Sequence, residues 1–217
     1  MIKADKLSKS YEKNGKQITV IDSFSLRIPA GDFLTIVGPS GSGKSTLLLM
    51  LGGMLTPSRG RIEIENDSLY DLTIEQRAQL RQKKIGFVFQ TFHLVPYLTA
   101  LQNVQLPLML TGHSAEEQRI KAEHLLERVG LKDRMGHHPS ELSVGQQQRV
   151  ALARMLANDP AIILADEPTG NLDPETAGEV IDFLFELNQE NRTIVLVTHD
   201  HKIANKAKRT VSLSSGG

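Results

Sequence analysis

Apolar residues fall in short blocks separated by glycine-rich or charged stretches. Asp32–Val37 carries the run Phe33-Leu34-Thr35-Ile36-Val37, which stops at Gly38 and has the length of a buried strand. Ile18–Ile28 alternates loosely and predicts a strand region; Gly60–Glu65 and Ile85–Phe89 predict further strands. An apolar helix is predicted from about Lys44 to Leu51. From about Thr91 to Leu142, Leu, Glu, Lys and Arg recur at helical spacing, which predicts a mostly helical insertion between two halves of a sheet. Thr73-x-x-Gln76, Thr99-x-x-Gln102 and Ser114-x-x-Glu117 have the form of capping boxes, so helices should start there. Ala161–Ala165 then predicts a strand, Pro174–Asn191 a helix and Thr193–Thr198 a strand, with another strand before the end of the chain. Strands alternating with helices imply an α/β fold with a mainly parallel sheet. The early strands have no helix among them and are expected to form a separate antiparallel sheet.

Composition narrows the class. The chain has 217 residues, with 25 Lys+Arg against 25 Asp+Glu and a formal net charge of 0, so a basic nucleic-acid footprint is missing. A hydrophobic content of 40% is that of a globular chain, and with no cysteine there is no disulfide scaffold, thiolate metal site or Cys nucleophile. Among seven histidines, His137-His138 and His199-x-His201 leave a metal pair open, although surface or phosphate-contact roles suit them better without converging cysteines. Met1–Asp5 has no apolar signal core, and the greasy stretch Leu47–Leu55 is short of the ~20 residues that span a bilayer. The expectation is a soluble, cytoplasmic protein that touches a membrane only through a partner.

The sharpest motif is Gly38-Pro39-Ser40-Gly41-Ser42-Gly43-Lys44-Ser45, followed by Thr46, which fits G-x-x-x-x-G-K-[ST] with a strand before it and a helix after. Glycines let the backbone amides turn around phosphates, and the helix N-terminus adds partial positive charge. Lys44 would reach the β- and γ-phosphates and Ser45 would ligate Mg²⁺. Phosphoryl transfer also needs a carboxylate for the metal and a group that orients water. Ile162-Ile163-Leu164-Ala165 places Asp166 at the end of a buried strand as the Mg²⁺ partner, and Glu167 follows as a candidate general base.

A second anion site is suggested by Leu142-Ser143-Val144-Gly145-Gln146-Gln147-Gln148-Arg149. Ser143 and Gln146 again form a capping box, and the helix start bears free amides. One nucleotide does not need two such sites in one chain, which points to a dimer whose second site closes on its partner's nucleotide.

Leu142–Gln146 resembles the signature motif of ABC ATPases, and with Gly38–Ser45 and Ile162–Glu167 it completes that family's three-motif pattern across the whole chain. The resemblance implies a single ABC ATPase domain over residues 1–217. Its core is a P-loop NTPase fold with an N-terminal antiparallel β subdomain and a helical signature subdomain inserted at about 91–158. It also implies an ATP-hydrolysing, head-to-tail homodimer with two nucleotides between the chains, contacted by Ser143, Gly145 and Gln146 from the opposite subunit. Tyr11 resembles the aromatic that stacks on adenine, Gln90 the glutamine that reaches Mg²⁺ and water, and His199 the histidine at the γ-phosphate. Asn171-Leu172-Asp173 resembles the loop that meets the other subunit, while Asp173 before Pro174 also fits a local N-cap. Val144 departs from the family, where Gly is usual.

Asp71–Arg81, Ile85–Leu94 and Asn103–Leu108 resemble the lipoprotein-releasing, macrolide-export and cell-division branch. That implies an integral membrane permease partner with four transmembrane helices and a large extracytoplasmic domain, a place on the inner face of the cell membrane, and no nucleic acid. Phe92–Leu110 would meet the partner's coupling helix, with Phe92, Leu94, Val95 and Leu98 either lining a docking groove or belonging to the core. The chain stops at Ser214–Gly217, so the C-terminal regulatory domain of many importer ATPases is not expected. A soluble ABC-type ATPase acting on ribosomes or nucleic acid is the competing class; its relatives usually carry coiled coils, metal-binding cysteines or paired ATPase units. A small-molecule kinase would leave Leu142–Arg149 unexplained.

Overall fold

The computed structural model describes residues 1–13, 15–204 and 206–213; the terminal Ser214–Gly217 and the side chains of Lys13, His201 and Lys202 lie outside the described residues. The chain opens with strands β1 (Ile2–Lys13), β2 (Lys16–Ile28) and β3 (Phe33–Val37), then helix α1 (Lys44–Leu51). Next come β4 (Arg59–Ile64), β5 (Asp67–Ser68), α2 (Ile74–Lys84) and β6 (Ile85–Phe89). Helices α3 (Ala100–Gln105), α4 (Ala115–Arg128) and α5 (Val144–Leu156) follow, linked by short 3₁₀ turns. The chain returns through β7 (Ile162–Asp166), α6 (Pro174–Gln189), β8 (Thr193–Thr198), α7 (His201–Ala204) and β9 (Arg209–Ser212).

Two sheets result, as the distribution of helices among the strands predicts. One is antiparallel, in the order β2-β1-β4-β5, and the other is parallel, in the order β6-β7-β8-β3-β9. The inner parallel strands β7, β8 and β3 are buried on both faces, so they read as nearly unbroken apolar runs. Along β7 and β8, Ile162, Leu164, Val195 and Val197 point into the core shared with α1 and the antiparallel sheet. Ile163, Ala165, Ile194 and Leu196 point the other way, onto Leu152, Met155 and Leu156 of α5 and Val180, Ile181, Leu184 and Leu187 of α6. Phe33 stacks on Phe185 there at 4.4 Å between ring centroids.

Helix α1 is apolar all round because it is enclosed: Leu47, Leu48, Met50 and Leu51 are buried between the two sheets. A third cluster joins α3, α4 and α5 through Ala100, Val104, Ala122, Leu126, Val150 and Ala153. Helix α5 is therefore a wall common to the parallel-sheet core and the helical region.

All of the anticipated capping boxes form, at Thr73/Gln76, Thr99/Gln102, Ser114/Glu117 and Ser143/Gln146. Strand β1 is the longest element that apolar patterning does not reveal; the short β5 and α7 are also missed. The buried residues of β1 are Ile2, Ala4 and Leu7, and the alternation breaks because the register shifts between Ala4 and Leu7, where Lys6 has φ 48°. Phe92, Leu94, Val95 and Leu98 are each half-buried, so neither alternative holds in full; the exposed apolar residues nearby are Tyr97, Met109 and Leu110.

Candidate nucleotide site

The loop from Gly38 to Gly43 links the C-terminal end of β3 to α1. Gly43 stands at φ 91°, a left-handed conformation that suits glycine, and packs against Val20 and Ile21 of β2. A Cβ on Gly38 would run into the Leu213 carbonyl and the Ser42 hydroxyl, so the close approach of the residue after β9 also requires glycine there. Helix α1 begins without a side-chain cap and with no acidic residue in its first turn. Every other described helix of eight residues or more has a side-chain cap, from Thr73, Ser114, Ser143 or Asp173. The first amides of α1 thus lack the partner that the other helices build in.

Beside this helix start lies a cavity of about 350 Å³, lined by Val20, Ser40, Gly41, Gly43, Lys44, Ser45, Thr46, Gln90, Asp166 and Glu167. The buried Lys44 ammonium donates to the Gly38 and Pro39 carbonyls at 2.9 Å each. Ser45 Oγ donates to Asp166 Oδ1 at 3.0 Å. Burial raises the Asp166 carboxyl above its ordinary value; the Ser45 hydrogen bond opposes this, the adjacent Glu167 carboxylate adds to it, and Lys44 offsets part. A cation beside that carboxyl would relieve both burial and like-charge repulsion, so the donor set Ser45, Asp166 and Gln90 suits a hard, oxygen-seeking metal.

Glu167 leaves the strand in a left-handed conformation, φ 46°, which costs a non-glycine residue about 1–2 kcal/mol. Its amide donates to the Val197 carbonyl at 2.9 Å, and its carbonyl accepts from Gly170 at 3.1 Å. His199 Nδ1 lies 2.6 Å from Glu167 Oε2, and since an ionised carboxylate only accepts, Nδ1 carries the proton. His199 lines a neighbouring cavity of about 530 Å³, and Glu167 is the wall between the two. Gln90 faces the first cavity and exchanges hydrogen bonds with Asn171: Gln90 Nε2 to Asn171 Oδ1 at 3.4 Å, and Asn171 Nδ2 to the Gln90 carbonyl at 3.1 Å.

The anticipated residues therefore divide. Gly41, Gly43, Lys44, Ser45, Thr46, Ser40, Gln90, Asp166 and Glu167 converge, with His199 behind Glu167. Gly38, Pro39 and Ser42 complete the loop, Ser42 buried and its hydroxyl without a partner among the described residues. Tyr11, Ser143, Gly145, Gln146 and Asp173 are not among the residues lining the first cavity. Ser143 and Gln146 cap α5, and Gly145 packs on Thr176, whose hydroxyl donates to Asp173 at 2.7 Å, so these four form a second group on the same chain. Tyr11 stands at the end of β1 opposite Ile18, about two-fifths exposed, with Lys9 over its ring at 5.2 Å. Val144 is half exposed at the start of α5, where a β-branched side chain meets no obstacle. His137 contacts Arg134 and His138 contacts Glu141, and no metal-holding cluster of three or more His, Asp or Glu occurs among the described residues. Patterning did not reveal Gln148, which is buried and donates to the Pro168 carbonyl beside Glu167 at 2.9 Å.

Comparison with known proteins shows the family and the fold. The family model for ABC transporter matches residues 21–170. The lipoprotein-releasing system ATP-binding protein LolD of Legionella pneumophila (strain Paris) is 46% identical over 217 residues, covering 100% of this chain and 96% of LolD. YvrO of Bacillus subtilis (strain 168), an uncharacterized ABC transporter ATP-binding protein, is 44% identical over 216 residues, covering 100% of this chain and 94% of YvrO. The dimeric structure of MJ0796, a bacterial ABC transporter cassette, superposes with a TM-score of 0.93 at 44% identity, over 100% of this chain and 95% of that one. MJ0796 in a post-hydrolysis state bound to ADP and Pi superposes with a TM-score of 0.92 at 41% identity, over 100% and 97% of the two chains. This chain belongs to the ABC transporter family. Within it, the chain is the ATP-binding and ATP-hydrolysing subunit of a membrane complex. No described helix is itself long and apolar enough to cross a membrane.

Proposed function

We propose that the chain forms a single ATPase domain over 1–217, with about 91–158 as its helical subdomain, and works as a homodimer closed head-to-tail by two ATP molecules. Gly38–Thr46 would hold the phosphates and Tyr11 the adenine. Ser143, Gly145 and Gln146, with Asp173, would close on the partner subunit's nucleotide. The observation that carries this reading is the uncapped start of α1, opening on the cavity that contains the Ser45–Asp166 pair and Glu167. The division of the anticipated residues into two groups supports the dimer, since each group is half of a site.

Ser45, Asp166 and Gln90 would hold Mg²⁺, which when bound screens the charge of the phosphates. Glu167 takes a proton from the attacking water, whose oxygen bonds to the terminal phosphorus as the bond from that phosphorus to the ADP oxygen breaks, and ADP and phosphate leave. His199 holds the Glu167 carboxylate through Nδ1. Lys44, released from the Gly38 and Pro39 carbonyls, follows the β- and γ-phosphates.

The membrane partner would be a four-helix permease with a large extracytoplasmic domain, as in the lipoprotein-releasing branch, and the ATPase would sit on the cytoplasmic face of the membrane. Identity to LolD supports the branch. So does a cavity of about 750 Å³ lined in part by the apolar side chains of Met54, Phe87, Phe89, Leu106 and Leu110. Arg154 braces its rim by donating to the Phe92 and His93 carbonyls at 2.7 Å each.

The test is capture from native membranes with Glu167→Gln and Mg-ATP. We expect turnover to fall about 10²- to 10⁴-fold, ATP binding to persist, a dimer to accumulate and a four-helix permease to be retained. Turnover near the wild-type rate would remove Glu167 as the base. Capture of ribosomal proteins alone would replace the permease reading with a soluble ATPase.

A further inference from the structure

Gln148 lies on α5, wholly buried, and its Nε2 donates to the Pro168 carbonyl at 2.9 Å. A carbonyl only accepts, so the side-chain amide must present its NH₂ there. Its other end, Oε1, has no hydrogen-bond partner among the described residues. The neighbouring α5 residues Val150, Ala151, Leu152 and Ala153 are buried and apolar. An orphaned acceptor at such a position weakens the fold, so packing does not account for the choice of glutamine.

What the glutamine touches does account for it. Pro168 directly follows Glu167, whose backbone is held in its left-handed conformation by the Val197 carbonyl on one side and the Gly170 amide on the other. The Gln148 bond adds a third restraint one peptide further on. We propose that Gln148 is a positioning residue for Glu167: it fixes the Pro168–Thr169 peptide, one residue beyond the base, and ties it to the helix that Ser143 caps. This rests on the reading of Glu167 as general base. Through that one bond, a shift of α5 on closing against the partner's nucleotide reaches the carboxylate of its own subunit.

The test uses Gln148→Met and Gln148→Leu in the full chain, which remove the donor and the orphaned acceptor together. We expect kcat to fall about tenfold, the consequence of a slightly misplaced base, with KM for ATP and the melting temperature little changed. Added to Glu167→Gln, neither substitution should lower the residual turnover further. A lowered melting temperature with kcat intact, losses that multiply with those of Glu167→Gln, or failure of both variants to fold would each make Gln148 structural and overturn the proposal. Gln148→Met at the wild-type kcat, with Glu167→Gln inactive, overturns the proposal alone. Wild-type turnover by Glu167→Gln overturns the base reading, and the proposal with it.

Discussion

Ser45 and Asp166 are 121 positions apart and share a hydrogen bond of 3.0 Å. Strand β3, which leads into Ser45, does not pair with β7, which ends at Asp166; β8 lies between them. Helix α1 makes the junction by crossing over β8 and β7, so its first turn lies above the end of β7. A hydroxyl and a half-buried carboxyl meet there because the crossover, not the pairing of strands, sets the distance.

Ser45→Ala should therefore lower ATP turnover by about 10²-fold, if the lost group supports a metal worth several kcal/mol of charge stabilisation. The Mg²⁺ concentration giving half-maximal activity should rise as well. Titration of activity with Mg²⁺ checks this, and an unchanged midpoint would place Ser45 outside the metal site.

His199→Ala should lower kcat while leaving ATP affinity in place, because His199 touches Glu167 and lines the neighbouring cavity. A hydrogen bond to a charged group is worth about 1.5–3 kcal/mol, which converts to a loss of roughly 10- to 150-fold. Steady-state kinetics beside nucleotide titration separates the two effects. A raised KM at unchanged kcat would mean that His199 acts on binding alone.

Asp173 carries a pH dependence whose sign follows from its partners. Hydrogen bonds from Thr176, first from its hydroxyl and then from its amide, hold the carboxyl below its ordinary 3.8. A depressed native value adds stability above 3.8, and that stability is lost as the pH falls through the native value. Asp173→Asn keeps a capping oxygen and loses the charge. Urea unfolding across pH should show the variant less stable than the parent at neutral pH, with the gap closing in acid. A gap independent of pH would remove charge from the account.

Thr99→Ala removes the cap of α3, whose hydroxyl accepts from Gln102 at 3.2 Å. The expected cost is about 1 kcal/mol, or a melting temperature lower by about 2–4 °C in a chain of this size. Basal ATP turnover should be unchanged, since α3 lies in the helical cluster. A drop in kcat measured on the same sample would show that this cluster reports to the site without any partner.

Local signals in the chain account for much of this site. Each capping box was legible because a hydroxyl and a glutamine or glutamate three residues on satisfy each other over a single turn. Gly38–Ser45 was legible because glycines, lysine and serine must occur at set intervals between a strand and a helix. Strand β1 was not, because its bulges shift the register and break the alternation. Gln148 was not either, since a glutamine at a helix start reads as surface until the packing of α5 on the loop after β7 buries it.

Sequence alone determined the glycine-rich loop Gly38–Gly43 between a strand and a helix, the α/β class, the separation of two sheets and the place of Asp166-Glu167 at a strand end, all of which rest on neighbours within a turn or a strand. Only the tertiary structure decided what those residues touch. The crossing of α1 sets Asp166 against Ser45, the parallel order of β7 and β8 brings His199 to Glu167, and the burial of α5 sets Gln148 against Pro168. The physical reason is range: capping and strand formation are local interactions written in adjacent residues, while burial and contact between distant groups depend on how whole elements pack.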